Sequence, residues 1–94
     1  NTSDEMKKSI VNDEVIFSID ISGSRAKSGK FEFKFDTGNW LPGYNWGINT
    51  MNDDGLSGAV IPNAENIVVS GIDSSKTYTI TFNYTDLTFS VKAK

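Results

Sequence analysis

The chain has 94 residues, neither cysteine nor histidine, and a formal net charge of −3. This composition excludes disulfides, the common zinc sites and Cys–His or Ser–His–Asp catalysis, and it argues against nucleic acid, whose phosphates need a basic face. The length suits one domain, and no apolar run approaches the roughly 20 residues that cross a bilayer.

The first 13 residues are polar, and only Ile10 and Val11 form an apolar cluster. We therefore predict a flexible N-terminal tail or linker over residues 1–13, followed by a single domain over residues 14–94. If Ile10 and Val11 instead add a strand to the sheet, ordered structure begins at about Ser9. The chain does not begin with methionine or with a signal segment, as is typical of a mature or excised piece.

Alternation of apolar and polar residues predicts β-strands in the rest of the chain. The clearest case places Phe31, Phe33 and Phe35 on one face of a single strand. The last two strands form a hairpin with a tight loop at Thr85 and Asp86. The predicted strands are 14–22, 30–36, 44–50, 56–61, 66–70, 77–85 and 87–93. No segment has helical periodicity, so the fold class is all-β: an antiparallel, Ig-like sandwich of about six to seven strands, with a small closed barrel as the alternative.

Residues 39–47 (Asn-Trp-Leu-Pro-Gly-Tyr-Asn-Trp-Gly) hold both tryptophans and one of the three tyrosines. Exposed aromatic rings beside amide and charged groups suit a sugar, whose C–H face lies on a ring while its hydroxyl groups find polar partners. In the alternative, Trp46 belongs to the core and Trp40 caps one end of the sandwich. The candidate carbohydrate-binding residues are Trp40, Tyr44, Trp46, Asn39, Asn45, Asn49 and Lys34.

The order of motifs from Gly29 onward resembles a known family. It runs Gly-Lys-Phe-Glu-Phe-Lys-Phe (29–35), Trp40, Asn-Trp-Gly (45–47), Asn-Ile-Val-Val (66–69), Thr-Tyr-Thr-Ile-Thr-Phe (77–82) and Leu-Thr-Phe-Ser-Val (87–91). This order is similar to the Ig-like modules of the SusE/SusF outer-membrane starch-binding proteins of Bacteroidetes, and to starch-binding modules of bacterial pullulanases. The resemblance covers roughly residues 29–94.

The resemblance implies a non-catalytic module that binds starch-like α-glucan or another polysaccharide. It also implies a cell-surface, outer-membrane or periplasmic setting in a Gram-negative bacterium. Such modules begin with a strand and a Gly-…-Gly-Trp segment that this chain lacks. An open sheet edge there would accept a strand from a neighbouring domain or a second copy, unless residues 7–11 cover it. The alternative function is therefore a structural or protein-interaction sandwich with no sugar affinity.

Two further kinds of site have weaker sequence signals. Asp53 and Asp54, in Asn-Asp-Asp-Gly (52–55), form part of a calcium-type loop but lack the distal glutamate of an EF-hand, and the sequence is also an ordinary turn. We therefore predict no metal or other cofactor, with calcium at Asp53 and Asp54 as the alternative. Carboxylate pairs exist, but a small sandwich has little room for the cleft of a glycosidase, so we predict no enzyme activity.

Overall fold

The computed structural model describes residues 4–36 and 45–94, and these residues form nine β-strands and one short 3-10 helix, Gly23–Arg25. The strands are β1 (Lys7–Val11), β2 (Glu14–Ser22), β3 (Phe31–Phe33), β4 (Phe35–Asp36), β5 (Asn45–Met51), β6 (Ser57–Pro62), β7 (Ile67–Val69), β8 (Thr77–Asn83) and β9 (Thr88–Ala93).

Seven strands form one curled antiparallel sheet, in the order β1-β2-β8-β9-β6-β5-β4. The other two, β3 and β7, pair as a small second sheet. The predicted all-β antiparallel sandwich is confirmed, and its sheets are unequal in size. The strand count exceeds the prediction because β1 is an additional strand and because the predicted strand 30–36 is divided between the two sheets.

The core lies between the inner face of the large sheet and the β3–β7 pair. Period-two alternation places every second residue of β8 inward, so that Tyr78, Ile80 and Phe82 are buried while the threonines between them are not. The buried apolar residues are Phe31, Phe35, Trp46, Val60, Ile67, Val69, Ile72, Tyr78, Ile80, Phe82, Phe89 and Val91.

Strand β1 stands in part of the predicted tail, over Lys7–Val11, and agrees with the alternative in which Ile10 and Val11 add a strand to the sheet. It pairs with β2 from Lys7 opposite Ser18 to Val11 opposite Glu14. The two strands are joined at Asn12 and Asp13, whose φ values are 51° and 66°. Both residue types tolerate this left-handed region, and two such residues give the turn that closes tight hairpins. Backbone pairing and not apolar burial therefore holds the strand, which is why a hydrophobic pattern does not reveal it.

The strand predicted over residues 30–36 changes sheets at Lys34. Its first part, β3, pairs with β7, whereas β4 pairs with β5 through Phe35 opposite Trp46. All three phenylalanines still contribute to the core, with Phe31 and Phe35 buried and Phe33 packed against them. The predicted common face is therefore confirmed, although the ladder is not continuous.

The loop between β8 and β9 is longer than predicted. Asn83 pairs with Thr88, so residues 84–87 form a four-residue turn in place of the tight loop at Thr85 and Asp86. Leu87 was predicted in a strand, but it has a φ of 56° and lies in the turn. The absence of glycine at Thr85 and Asp86 disfavours a two-residue loop, whereas four residues close the hairpin around an ordinary turn.

Candidate functional site

Trp46 lies in the core and not on the surface. Only 7% of it is exposed, and its ring centroid is 5.5 Å from that of Phe82 and 5.6 Å from that of Tyr84. It is in β5, opposite Phe35 and Pro62. This position corrects the prediction of Trp46 as a sugar contact and agrees with the alternative that it is a core residue.

Tyr84 is the aromatic residue that extends this cluster to the surface. It is 47% exposed, and its ring meets the rings of Trp46 and Phe82 nearly at right angles, at interplanar angles of 86° and 89°. Such edge-to-face contacts are favourable for aromatic pairs. Contacts with two buried rings therefore position Tyr84, and about half of the residue is exposed.

Hydrogen bonds fix the backbone that carries Tyr84. Its amide donates to the carbonyl oxygen of Val15 at 2.9 Å, and the amide of Val15 donates to the Thr85 hydroxyl at 2.9 Å. The amide of Asp86 donates to the side-chain oxygen of Asn83 at 2.8 Å. A ring mounted on such a backbone loses little conformational freedom on binding a ligand.

Two carboxylates and an amide lie at the same end of the sheet. The side-chain nitrogen of Asn83 is 3.4 Å from an oxygen of Glu14 and 3.3 Å from an oxygen of Asp86. A hydrogen bond with the carboxyl group of Asp86 raises the pKa of Glu14, and the negative charge of Asp86 acts in the same direction. Asn83 follows the inward-facing Phe82 in β8, so Asn83 and Glu14 lie on the outer face of the sheet, whereas the Tyr84 ring packs on inner-face rings. We call this end of the sheet, with Tyr84, Asn83, Asp86 and Glu14, the Tyr84 surface.

The raised pKa of Glu14 has a consequence for stability. Because protonated Glu14 is favoured in the folded state, its stabilising contribution is complete below the unfolded value near 4.5 and is lost as the pH rises through the folded value. The negative charge of Asp86 disfavours the charged form of Glu14. We therefore expect Glu14→Gln to raise the melting temperature at pH 7 and to have a smaller effect at about pH 3. Circular dichroism melts at the two pH values measure this difference.

The matched control for this prediction is Glu65→Gln, which removes the same charge from an exposed residue in the loop after β6. A similar gain from both variants at pH 7 would attribute the effect to net charge and not to Asp86. A lower melting temperature for Glu14→Gln at pH 7 would contradict the repulsion directly.

Among the described residues, the other predicted site residues Asn45, Asn49 and Lys34 do not form one site with Trp46. Asn45 is buried, and its side-chain nitrogen donates to the side-chain oxygen of Asn63 at 3.2 Å, which ties β5 to the loop after β6. Asn49 is exposed at a bulge in β5, three residues or about 10 Å along the strand from Trp46. Lys34 is half-buried where the chain changes sheets. Asn39, Trp40 and Tyr44 lie outside the described residues.

The loop with Asp53 and Asp54 closes on itself. The Asp54 carboxylate accepts hydrogen bonds from the Leu56 amide at 2.8 Å and from the Ser57 hydroxyl at 3.1 Å. The bond from the Leu56 amide lowers the pKa of Asp54. Within residues 4–36 and 45–94, no group of three or more acidic, histidine or cysteine residues is placed to hold a metal ion. The loop geometry is therefore that of an ordinary turn.

The described part of the chain contains no helix with the length and apolar character needed to span a membrane. Comparison of the chain with protein-family models, curated proteins and solved structures found no match. Sequence reasoning missed Tyr84 as a site residue because it assigned this tyrosine to a strand. The sequence signal that could have indicated exposure is its position directly before Thr85 and Asp86, the residues of the predicted turn.

Proposed function

We propose that this domain is a non-catalytic carbohydrate-binding module that uses the Tyr84 surface as a stacking platform. The observation that carries the proposal is the half-exposed residue Tyr84, whose ring contacts Trp46 and Phe82 edge-to-face. A sugar ring would lie on the tyrosine ring through its C–H groups. Its hydroxyl groups would bond to amide and carboxylate groups at this end of the sheet, where Asn83, Asp86 and Glu14 are the candidates.

Starch-like α-glucan is the first ligand to test. The motif order over residues 29–94 resembles that of starch-binding modules, and the cell surface or periplasm of a Gram-negative bacterium is the corresponding setting. The aromatic residues Trp40 and Tyr44 precede Trp46 in the chain and remain predicted contacts. A single stacked ring with a few polar contacts gives weak affinity, with a Kd of roughly micromolar to millimolar.

Affinity electrophoresis tests the proposal. We expect soluble starch in the gel to retard the wild-type chain and Tyr84→Phe, which keeps the ring, but not Tyr84→Ala. Because Tyr84→Ala also removes edge-to-face contacts worth about 0.5–1.5 kcal/mol each, its melting temperature should fall while the fold is retained.

The control is Val68→Ala, a truncation at an exposed position of β7 in the small sheet, which should be retarded like the wild type. Retention of starch binding by folded Tyr84→Ala would overturn the role of Tyr84. Loss of retardation in Trp40→Ala but not in Tyr84→Ala would place the binding site in residues 39–44 instead. Absence of retardation on starch and on a panel of other glycans would overturn carbohydrate binding.

The alternative function is a structural or protein-interaction module without sugar affinity. It is favoured by one specific observation, the exposed strand β1 at the edge of the large sheet. Edge strands present unpaired backbone groups that accept strands from other chains.

A further inference from the structure

Strand β1 is the most exposed strand of the described structure. All five of its residues are exposed, and it pairs only with β2 among the described strands. Ile10 is 67% exposed and Val11 is 52% exposed, the two largest exposures among the large hydrophobic residues described. Single exposed apolar residues are common, but two adjacent ones on an edge strand mark a place where another strand can add.

The hydrogen bonds of β2 determine which backbone groups of β1 face outward. The amide and the carbonyl of Val15 both bond toward the turn after β8, to Thr85 and Tyr84 respectively. Alternate residues of a strand bond to opposite sides, so Glu14, Ile16 and Ser18 bond toward β1. Their register partners are Val11, Ser9 and Lys7. The remaining residues, Lys8 and Ile10, therefore direct their amide and carbonyl groups away from the sheet.

We propose that this outward edge pairs antiparallel with β1 of a second copy of the chain, centred on Ser9. In this register Lys8 lies opposite Ile10 of the second copy, Ile10 lies opposite its Lys8, and the outward backbone groups of these residues form four hydrogen bonds. Lys7 lies opposite Val11. Each lysine stem covers an exposed apolar residue, and no lysine faces another lysine across the pair.

The two neighbouring registers that also pair these outward backbone groups are less favourable. Centring the pair on Lys8 places the two Lys8 side chains directly opposite each other, which is destabilising. Centring it on Ile10 places Lys8 opposite Asn12, whose φ of 51° is not that of a strand. The charge pattern of β1 and its closing turn therefore select the Ser9 register. This inference does not depend on carbohydrate binding.

The dimer is expected to be weak, because a pair of five-residue edge strands buries less than the roughly 1,200 Å² of a stable interface. Sedimentation equilibrium from about 10 μM to about 1 mM covers the corresponding affinity range. We expect the wild-type chain to dimerise within this range. Ile10→Lys, which places like charges directly opposite each other twice, should weaken dimerisation on the order of tenfold.

The control is Ile61→Lys, which makes the same substitution at an exposed isoleucine of β6, away from the edge. It should leave dimerisation unchanged. Adding Lys8→Glu to Ile10→Lys places opposite charges across the pair in the Ser9 register and should restore the dimer. A monomeric wild-type chain at all concentrations, equal weakening by Ile61→Lys, or failure of the double variant to restore the dimer would each overturn the proposal. Circular dichroism establishes that each variant is folded.

Discussion

Replacing Phe82 with alanine is expected to cost about 3–5 kcal/mol of unfolding free energy, the usual loss for a buried phenylalanine. Phe82 is 4% exposed and stacks on Phe35 with ring centroids 4.4 Å apart. It also contacts the rings of Phe17, Trp46 and Tyr84. No neighbouring side chain can fill the space of a whole ring without losing its own contacts, so a cavity remains.

This loss is large for a domain of this size, whose total stability is about 5–14 kcal/mol. Urea unfolding measures it, and the melting temperature should fall by at least about 12 °C. Val68→Ala, at an exposed position of β7, should change stability by no more than about 0.5 kcal/mol. A loss below about 1 kcal/mol for Phe82→Ala would show that Phe82 is not the centre of the core.

Replacing Gly47 with alanine is expected to cost about 3 kcal/mol through a backbone clash. The chain after β6 crosses β5 at this glycine, where the amide of Ile48 donates to the carbonyl oxygen of Glu65 at 2.8 Å. A Cβ on Gly47 would overlap the Glu65 carbonyl oxygen and lie 2.6 Å from that of Ala64. Because the obstructing atoms are backbone, relief requires the crossing segment to move and the hydrogen bond to break.

Gly71→Ala is the matched comparison for Gly47→Ala. Gly71 has a φ of 75° and no atom within 4 Å of an added Cβ, so the substitution introduces backbone strain without a clash. Its cost should be about 1–2 kcal/mol, smaller than that at Gly47. Equal losses from the two variants in urea unfolding would mean that the crossing at Gly47 tolerates a side chain.

The strand pattern was predictable where burial alternates. In β8 and in the segment with Phe31, Phe33 and Phe35, the period of two is local information, and the predicted faces agree with the structure. The change of sheet at Lys34 was not predictable from the local pattern. It depends on which strands the two halves of the segment pair with, β3 with β7 and β4 with β5, and these partners lie elsewhere in the sequence. The need for glycine at position 47 was not predictable either, because it depends on the close approach of the backbone of Ala64 and Glu65.

Other features escaped because their determinants are not hydrophobic. Strand β1 has no buried residue and depends on backbone pairing and on the conformations of Asn12 and Asp13. Tyr84 continues the apolar alternation of β8, so the pattern assigns it to the inner face. The turn 84–87 instead leaves it half-exposed beside Trp46. The exposure of Tyr84 therefore depends on the turn geometry, which the alternation of apolar residues does not encode.

Titration of the isotope-labelled chain with a soluble α-glucan oligosaccharide, followed through aromatic NMR signals, tests the stacking platform most directly. We predict saturable shifts of the Tyr84 ring signals at ligand concentrations up to about 10 mM, with little change at the buried ring of Phe31. Saturable shifts that leave the Tyr84 ring unchanged, or no shifts over this range, would contradict the account.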